Sequence, residues 1–255
     1  MPELTHLLER SLLIEADRAT IFRYFTDSNR WAAWWGAGSS IDARPGGSVL
    51  IRYPNGIQVM GEVLEIVEPE RIVFTYGYES GKPIPAGASR VTILLEALRA
   101  GTRLHLSHAF AEAGVRDQHV QGWRFQLSLF ANLLADEVNS GAEGKIDAWY
   151  AAWSMQDATE RMRSLAAIAS PEVRFRDRYA RIDGMDELND HIAATLRFMP
   201  GLTMERKGTA RHCQHTVLAD WVVRGADGAE RMSGVNVFSL DSAGLIHSVT
   251  GFWNQ

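Results

Sequence analysis

The first half of the chain is dominated by short stretches that alternate apolar and polar residues, which is typical of half-buried strands. Such stretches predict strands at 8–16, 48–53, 57–67, 71–78, 91–97 and 102–109. The turn-forming segments Pro54-Asn55-Gly56 and Arg99-Ala100-Gly101 join neighbouring strands closely enough for hairpins, so the sheet is expected to be antiparallel. A short helix is predicted at 19–26. A long final helix is indicated by apolar residues at three- and four-residue steps, which would cover the sheet: Val120, Trp123, Leu127, Phe130 and Leu134.

The second half begins with helical patterns at 145–154 and 158–169, followed by a strand at 172–177 and a helix at 185–198. Four further strands are predicted at 203–211, 214–224, 231–240 and 245–253. The small, polar segment 139–144 separates the halves and is typical of a linker. We therefore expect an α+β protein with a first domain at 1–138 and a second at 145–255.

Four motifs occur in order along the first half of the chain. They are WAAWWG at 31–36, RPGG at 44–47, GEVLEIVEPER at 61–71 and GW at 122–123. With these motifs, residues 8–137 resemble the START-like superfamily, in the branch named after the activator of a heat-shock chaperone's ATPase. The resemblance implies a helix-grip fold, in which an antiparallel sheet grips a long C-terminal helix and a cavity between them takes apolar small molecules.

The second half carries Trp149 and Trp153, the FRD triplet at 175–177, Gly184 and the GFW triplet at 251–253. With these residues, 144–255 resembles the SnoaL-like branch of the nuclear transport factor 2-like superfamily. It implies a cone-shaped α+β barrel. That superfamily includes ketosteroid isomerases, polyketide cyclases and epoxide hydrolases, as well as binding and dimerisation modules without catalysis.

Asp177 is the principal catalytic candidate because strand alternation places it on the same face as Val173 and Phe175. A carboxylate among apolar side chains is a stronger base, suited to taking a proton from carbon or activating water. The resemblance to the isomerases puts Asp177 at the general-base position. The alternative is an aspartate at the rim that caps a turn or pairs with Arg178 or Arg181.

The isomerases also use hydrogen-bond donors for the substrate's carbonyl oxygen, and the resemblance puts Trp149 and Asn236 at those positions. Both can donate, although neither is as acidic as the donors of the family. The alternative is that Trp149 belongs to the core and that neighbours satisfy Asn236.

His215, Trp221 and Trp253 are predicted to complete an aromatic ligand-binding wall with Phe175 around Asp177. A hydrogen-bonded core histidine is the alternative for His215. A metal site at His212 and His215 is rejected, because residues three apart on a strand face opposite sides.

In the first domain, the predicted ligand-binding residues are Trp34, Trp35, Trp123 and His108. His108 shares a strand face with apolar residues, which suits a polar anchor in a cavity and equally suits a satisfied core histidine.

Charge and composition exclude some classes of binding partner. The net charge of −5 argues against nucleic acid, and no apolar run approaches the roughly 20 residues of a membrane helix. We expect a cytoplasmic protein, because the single cysteine, Cys213, cannot form an internal disulfide and the N-terminus does not resemble a signal peptide. We expect it to need no cofactor or metal.

The combined expectation is that the protein binds a small hydrophobic metabolite and transforms it as an isomerase, cyclase or hydrolase. The alternative is a carrier without catalysis or a dimerisation module, with a homodimer formed through the second domain. Eight tryptophans suit either two aromatic cavities or two packed cores.

Overall fold

The computed structural model describes residues 3–254, whose contacts divide the chain into two compact units between Leu134 and Ala135. Each unit is an α+β structure, which confirms the predicted fold class.

The first unit contains a seven-stranded antiparallel sheet, two short helices between its first and second strands, and one long helix after its last strand. Its elements are β1 (His6–Ile14), α1 (Arg18–Arg23), α2 (Ser28–Trp35), β2 (Ser40–Ile41), β3 (Ser48–Arg52), β4 (Gln58–Val67), β5 (Arg71–Tyr76), β6 (Ser89–Leu98), β7 (Gly101–Phe110) and α3 (Ala113–Val138), whose last four residues lie past the boundary. The sheet order is β1-β7-β6-β5-β4-β3-β2. The hairpins predicted from turn residues join β3 to β4 and β6 to β7.

Two helices occupy the segment for which the sequence predicted one. Asp17 caps α1 by accepting a hydrogen bond from the Thr20 amide at 2.8 Å, and Asp27 caps α2 through the Arg30 amide at 2.9 Å. The tryptophan-rich motif at 31–36 forms α2 because its apolar residues share a buried face. The helix predicted at 19–26 corresponds to α1, which ends at Arg23, and the sequence prediction missed α2.

Helix α3 covers the sheet with the apolar face that its spacing predicts. The ring of Phe130 lies 5.1 Å from that of Phe25 and 4.8 Å from that of Trp34, measured between centroids. Phe130 and Leu134 are fully buried. A sheet gripping a long helix is therefore confirmed.

The second unit contains a six-stranded sheet and three helices. Its elements are α4 (Ala142–Ala152), α5 (Ala158–Ala166), β8 (Ala169–Arg176), β9 (Arg181–Asp183), α6 (Met185–Phe198), β10 (Thr203–Cys213), β11 (Thr216–Arg224), β12 (Glu230–Leu240) and β13 (Ile246–Trp253). The sheet order is β10-β11-β12-β13-β8-β9. Only the pairing of β13 with β8 is parallel among the described strands.

The segment predicted as a linker, 139–144, is shorter in the structure. Helix α3 continues to Val138 and α4 begins at Ala142, so three residues lie between the helices. Ala142 and Glu143 favour the first turn of a helix through high propensity and a carboxylate near the helix N-terminus. Asn139 is buried and forms a hydrogen bond between its Nδ2 and Nδ1 of His215 at 2.9 Å.

Candidate functional site

The second unit contains a cavity of about 580 Å³. Aromatic, methionine and other apolar side chains form most of its wall, with Asp177, Asn236 and His191 among its few polar groups. The lining residues are Trp153, Phe175, Asp177, Tyr179, His191, Ala194, Thr195, Leu196, Phe198, Met199, Leu202, Thr203, Met204, Trp221, Val223, Met232, Asn236, Gly251 and Trp253. An apolar cavity with a few polar groups is the usual form of a small-molecule site.

Asp177 directly follows β8 and lies in the turn that leads to β9. Its Oδ1 accepts hydrogen bonds from the backbone amides of Tyr179 and Ala180, both at 2.7 Å. Its Oδ2 accepts one from Nε1 of Trp253 at 3.2 Å. The turn-capping alternative is thus correct in geometry, yet the same carboxylate lines the cavity. Three donors fix its orientation.

The basic residues near Asp177 do not neutralise it. In the part of the chain that the structure describes, neither Arg178 nor Arg181 forms an ion pair with Asp177. The guanidinium of Arg178 lies instead over the ring of Tyr179, 5.7 Å from the centroid. The Asp177 carboxylate is therefore available to a ligand in the cavity.

Asn236 reaches the same end of the cavity from β12. It is 3% exposed and lies opposite Gly251 of β13 in the sheet register. A Cβ atom at Gly251 would lie 3.0 Å from Oδ1 of Asn236 and 3.3 Å from Cβ of Asp177. The absence of a side chain at Gly251 leaves room for both polar groups.

Three of the predicted ligand-binding residues line this cavity: Phe175, Trp221 and Trp253. The ring of Trp253 stands 5.2 Å from that of Trp221 at 83° and 5.3 Å from that of Tyr179 at 87°. Edge-to-face packing of this kind holds large rings rigidly. Their contact with a ligand stays a prediction.

Two predicted site residues lie elsewhere. Trp149 is fully buried, its ring packs against those of Phe175 and Phe238 behind the wall, and it does not line the cavity. Trp149 lies on α4 and Trp153 is its C-cap, four residues later on the same helical face, yet only Trp153 lines the cavity.

His215 is also corrected, because β11 begins only at Thr216. Gln214 and His215 form the turn after β10, with φ angles of 44° and 64°. A left-handed turn directs the His215 ring towards Asn139 rather than along the strand face. Burial lowers the pKa of His215, and nearby His212 lowers it further.

His191 is a cavity residue that the sequence reasoning missed. It lies on α6, half-buried, with its ring 5.8 Å from that of Trp153 and 6.2 Å from that of Phe175. The sequence feature that could have identified it is the pair of polar residues His191 and Thr195, four apart beside the buried residues of the same helix. The helix itself was predicted with its correct bounds, 185–198.

In the first unit, the predicted tryptophans are buried and pack on one another. Ring centroids lie 4.2 Å apart for Trp34 and Trp35 and 5.6 Å apart for Trp35 and Trp123. Nε1 of Trp34 donates to the Tyr24 carbonyl at 3.4 Å. These contacts are those of a core, and a ligand-binding role for the three residues stays a prediction.

His108 is fully buried and has partners on both ring nitrogens. Nε1 of Trp123 donates to Nδ1 of His108 at 2.9 Å, so the proton lies on Nε2, which contacts Oγ of Ser89 at 2.8 Å. Ser89 in turn donates to the Tyr76 carbonyl. Burial lowers the pKa of His108 well below its ordinary value, and His119 adds to this effect. The geometry is that of the satisfied core histidine.

A second polar cluster in the first unit, also missed by the sequence reasoning, joins three tyrosines to His119. The hydroxyl of Tyr53 lies 3.2 Å from that of Tyr76, which contacts Tyr78, and Tyr78 contacts Nε2 of His119 at 3.1 Å. Nδ1 of His119 lies 2.7 Å from the Val115 carbonyl. Burial raises the pKa of Tyr53 to about 12 and lowers that of His119.

Residues 3–254 contain no group of three or more His, Cys, Asp or Glu side chains arranged to hold a metal ion. Within the same range, no helix is both long and apolar enough to cross a membrane.

Comparison with protein families finds a match for each unit. Residues 15–135 match the model described as activator of Hsp90 ATPase homolog 1-like protein, and residues 146–249 match the SnoaL-like domain. Both resemblances inferred from sequence motifs are thereby confirmed. Among curated proteins, none matches this chain.

Solved structures resemble each half separately. A SnoaL-like family protein from Agrobacterium tumefaciens strain C58 is 23% identical, with a TM-score of 0.42, and the match covers 44% of this chain and 96% of that one. The Aha1 dimer from Colwellia psychrerythraea is 15% identical, with a TM-score of 0.42, covering 48% of this chain and 91% of that one. Protein CV1439 from Chromobacterium violaceum is 24% identical, with a TM-score of 0.41, covering 49% and 94%.

Proposed function

Since the chain joins a domain like the activator of Hsp90 ATPase homolog 1 to a SnoaL-like domain, we propose that it binds a small hydrophobic metabolite and transforms it without a cofactor. The reaction would be of the isomerase, cyclase or hydrolase type. The proposed site is the cavity of the second unit, and Asp177 is the proposed acid–base residue.

The observation that carries this proposal is a half-buried carboxylate, Asp177, in the wall of an otherwise largely apolar cavity. Hydrogen bonds from two backbone amides and Trp253 hold that carboxylate in one orientation. A positioned base in a largely apolar site has the features that proton transfer from carbon requires.

For a carbonyl substrate, the proposed step moves one proton. The Asp177 carboxylate takes it from the carbon beside the carbonyl of a substrate with a neighbouring C=C bond, and the C–H electron pair shifts to form a dienolate. Asp177, whose carboxyl proton exchanges with solvent, then gives a proton to another carbon of that dienolate. The amide of Asn236, at the same end of the cavity, would donate to the carbonyl oxygen while charge develops there.

The experiment is deuterium incorporation from solvent. The intact chain is incubated with a metabolite extract in D₂O, and mass spectrometry detects compounds that gain deuterium or change mass. We expect such compounds with the wild type and at least a hundredfold slower labelling with Asp177→Asn, in line with the loss of a general base.

Asp183→Asn is the matched control, since that exposed carboxylate in β9 is not part of the cavity wall. Equal labelling by wild type and Asp177→Asn would contradict the catalytic role. Absence of labelling together with retention of a ligand would favour the carrier function over catalysis.

A second proposed function is homodimerisation through the outer face of the second sheet. Its support is Phe252, which is 54% exposed and lies opposite Val235, both pointing away from the cavity. Sedimentation velocity at micromolar concentration tests it: we expect a dimer that Phe252→Glu converts to monomer, and a monomeric wild type would contradict it.

A further inference from the structure

A carbonyl substrate beside Asp177 needs hydrogen-bond donors for the charge that develops on its oxygen. Sequence reasoning assigned two, Asn236 and Trp149. Because Trp149 is buried behind the wall, Asn236 alone remains of that pair. A further donor must come from another residue of the cavity.

Four N–H and O–H donors of the wall are already engaged or enclosed. Nε1 of Trp253 donates to Asp177, and the Thr195 hydroxyl donates to the His191 carbonyl at 3.0 Å. Nε1 of Trp153 and of Trp221 has no hydrogen-bond partner among the described residues, but both atoms are buried and almost without accessible surface. These groups cannot serve a ligand without rearrangement.

His191 is different because its imidazole lines the cavity and forms no side-chain hydrogen bond within residues 3–254. Its ring lies 6.2 Å from that of Phe175, which shares a strand face with Asp177. Trp153 flanks the same ring at 80°. By contrast, His108 and His119 in the first unit have partners on both ring nitrogens.

We propose that His191 is a further catalytic residue of the second-unit cavity, donating an N–H to the oxygen of a hydrophobic ketone or phenol bound beside Asp177. This inference rests on the proposed function of that cavity. While Asp177 holds the substrate's proton, His191 hydrogen-bonds to the enolate oxygen; the proton then returns to carbon, and both residues end as they began.

The test uses two probes that differ by one hydroxyl, 2-naphthol and naphthalene, with affinities measured by fluorescence. His191→Phe keeps an aromatic ring at the position and removes the donor. We expect about a tenfold loss of affinity for 2-naphthol, the effect of one hydrogen bond. Naphthalene affinity should change less than about twofold, because it offers no oxygen to that donor. His105→Phe, at a partly exposed histidine of β7 that does not line the cavity, is the matched control and should change neither affinity.

The outcomes separate the two proposals. If neither probe binds the wild type, the proposed function of the cavity and the role of His191 both fail. If both probes bind and His191→Phe leaves the ratio of their affinities unchanged, only the role of His191 is overturned.

A measurement on the wild type covers the case in which His191→Phe does not fold. The imidazole ¹⁵N shifts of His191 should move on addition of 2-naphthol and stay in place with naphthalene. Identical responses to the two probes would overturn the inference.

Discussion

Gly251→Ala tests the geometry of the proposed site with a single methyl group. The new Cβ would lie 3.0 Å from Oδ1 of Asn236, at least 0.4 Å inside ordinary contact, which begins at 3.4 Å. It would also lie 3.3 Å from Cβ of Asp177. Asn236 is buried in the sheet, and hydrogen bonds hold Asp177, so neither moves freely. Overpacking of this kind costs about 1–3 kcal/mol.

Gly144→Ala is the matched control, because the same change there meets no atom within 4 Å in helix α4. Replacing an exposed helical glycine should stabilise the second unit by about 0.5–1 kcal/mol. The two variants should therefore change stability in opposite directions.

Hydrogen exchange of peptides covering β12 and β13 measures the local free energy of opening in the second unit. Gly251→Ala should also weaken 2-naphthol binding, and Gly144→Ala should leave it unchanged. If Gly251→Ala matches Gly144→Ala in stability and binding, the crowding argument is refuted.

Three further predictions concern groups outside the cavity. Burial lowers the pKa of His108, so the stability that its neutral form contributes is present above about pH 6.5 and is lost as the pH falls. Urea unfolding of the wild type should show this loss of stability in acid, and the loss should be smaller for His108→Gln. Burial raises the pKa of Tyr53 to about 12, so the stability that its neutral form contributes is lost as the pH rises from about 10 to 12. A Tyr53→Phe variant that loses as much stability as the wild type over this pH range would contradict the assignment to Tyr53. Arg161 is fully buried and donates to Oδ1 of Asn189 at 2.7 Å. Arg161→Met should cost roughly 2–4 kcal/mol in urea unfolding by leaving buried acceptors unpaired, whereas exposed Arg163→Met should stay within about 0.5 kcal/mol.

Local sequence patterns were sufficient for most elements of the fold. Turn residues such as Pro54-Asn55-Gly56 marked hairpins, and apolar periodicity gave the bounds of α6 at 185–198. Alternation along β8 also put Phe175 and Asp177 on one face, and both line the cavity. These features depend on neighbours within a few residues, which a sequence displays directly.

The errors arose where distant contacts or unusual backbone decide the outcome. Gln214 and His215 adopt positive φ without glycine, so nothing local showed that the strand would end before His215. Trp149 and Trp153 share one helical face, and only the three-dimensional packing decides which of them reaches the cavity. His191 was overlooked because a histidine on an amphipathic helix carries no local signal of an empty space beside it.

The central claim is that the cavity beside Asp177 holds a small hydrophobic molecule. Native mass spectrometry of the intact chain after incubation with a metabolite extract tests it most directly. The account predicts one apolar compound retained per chain and displaced by excess 2-naphthol. Spectra that show only the mass of the unliganded chain, across extracts and concentrations, would contradict it.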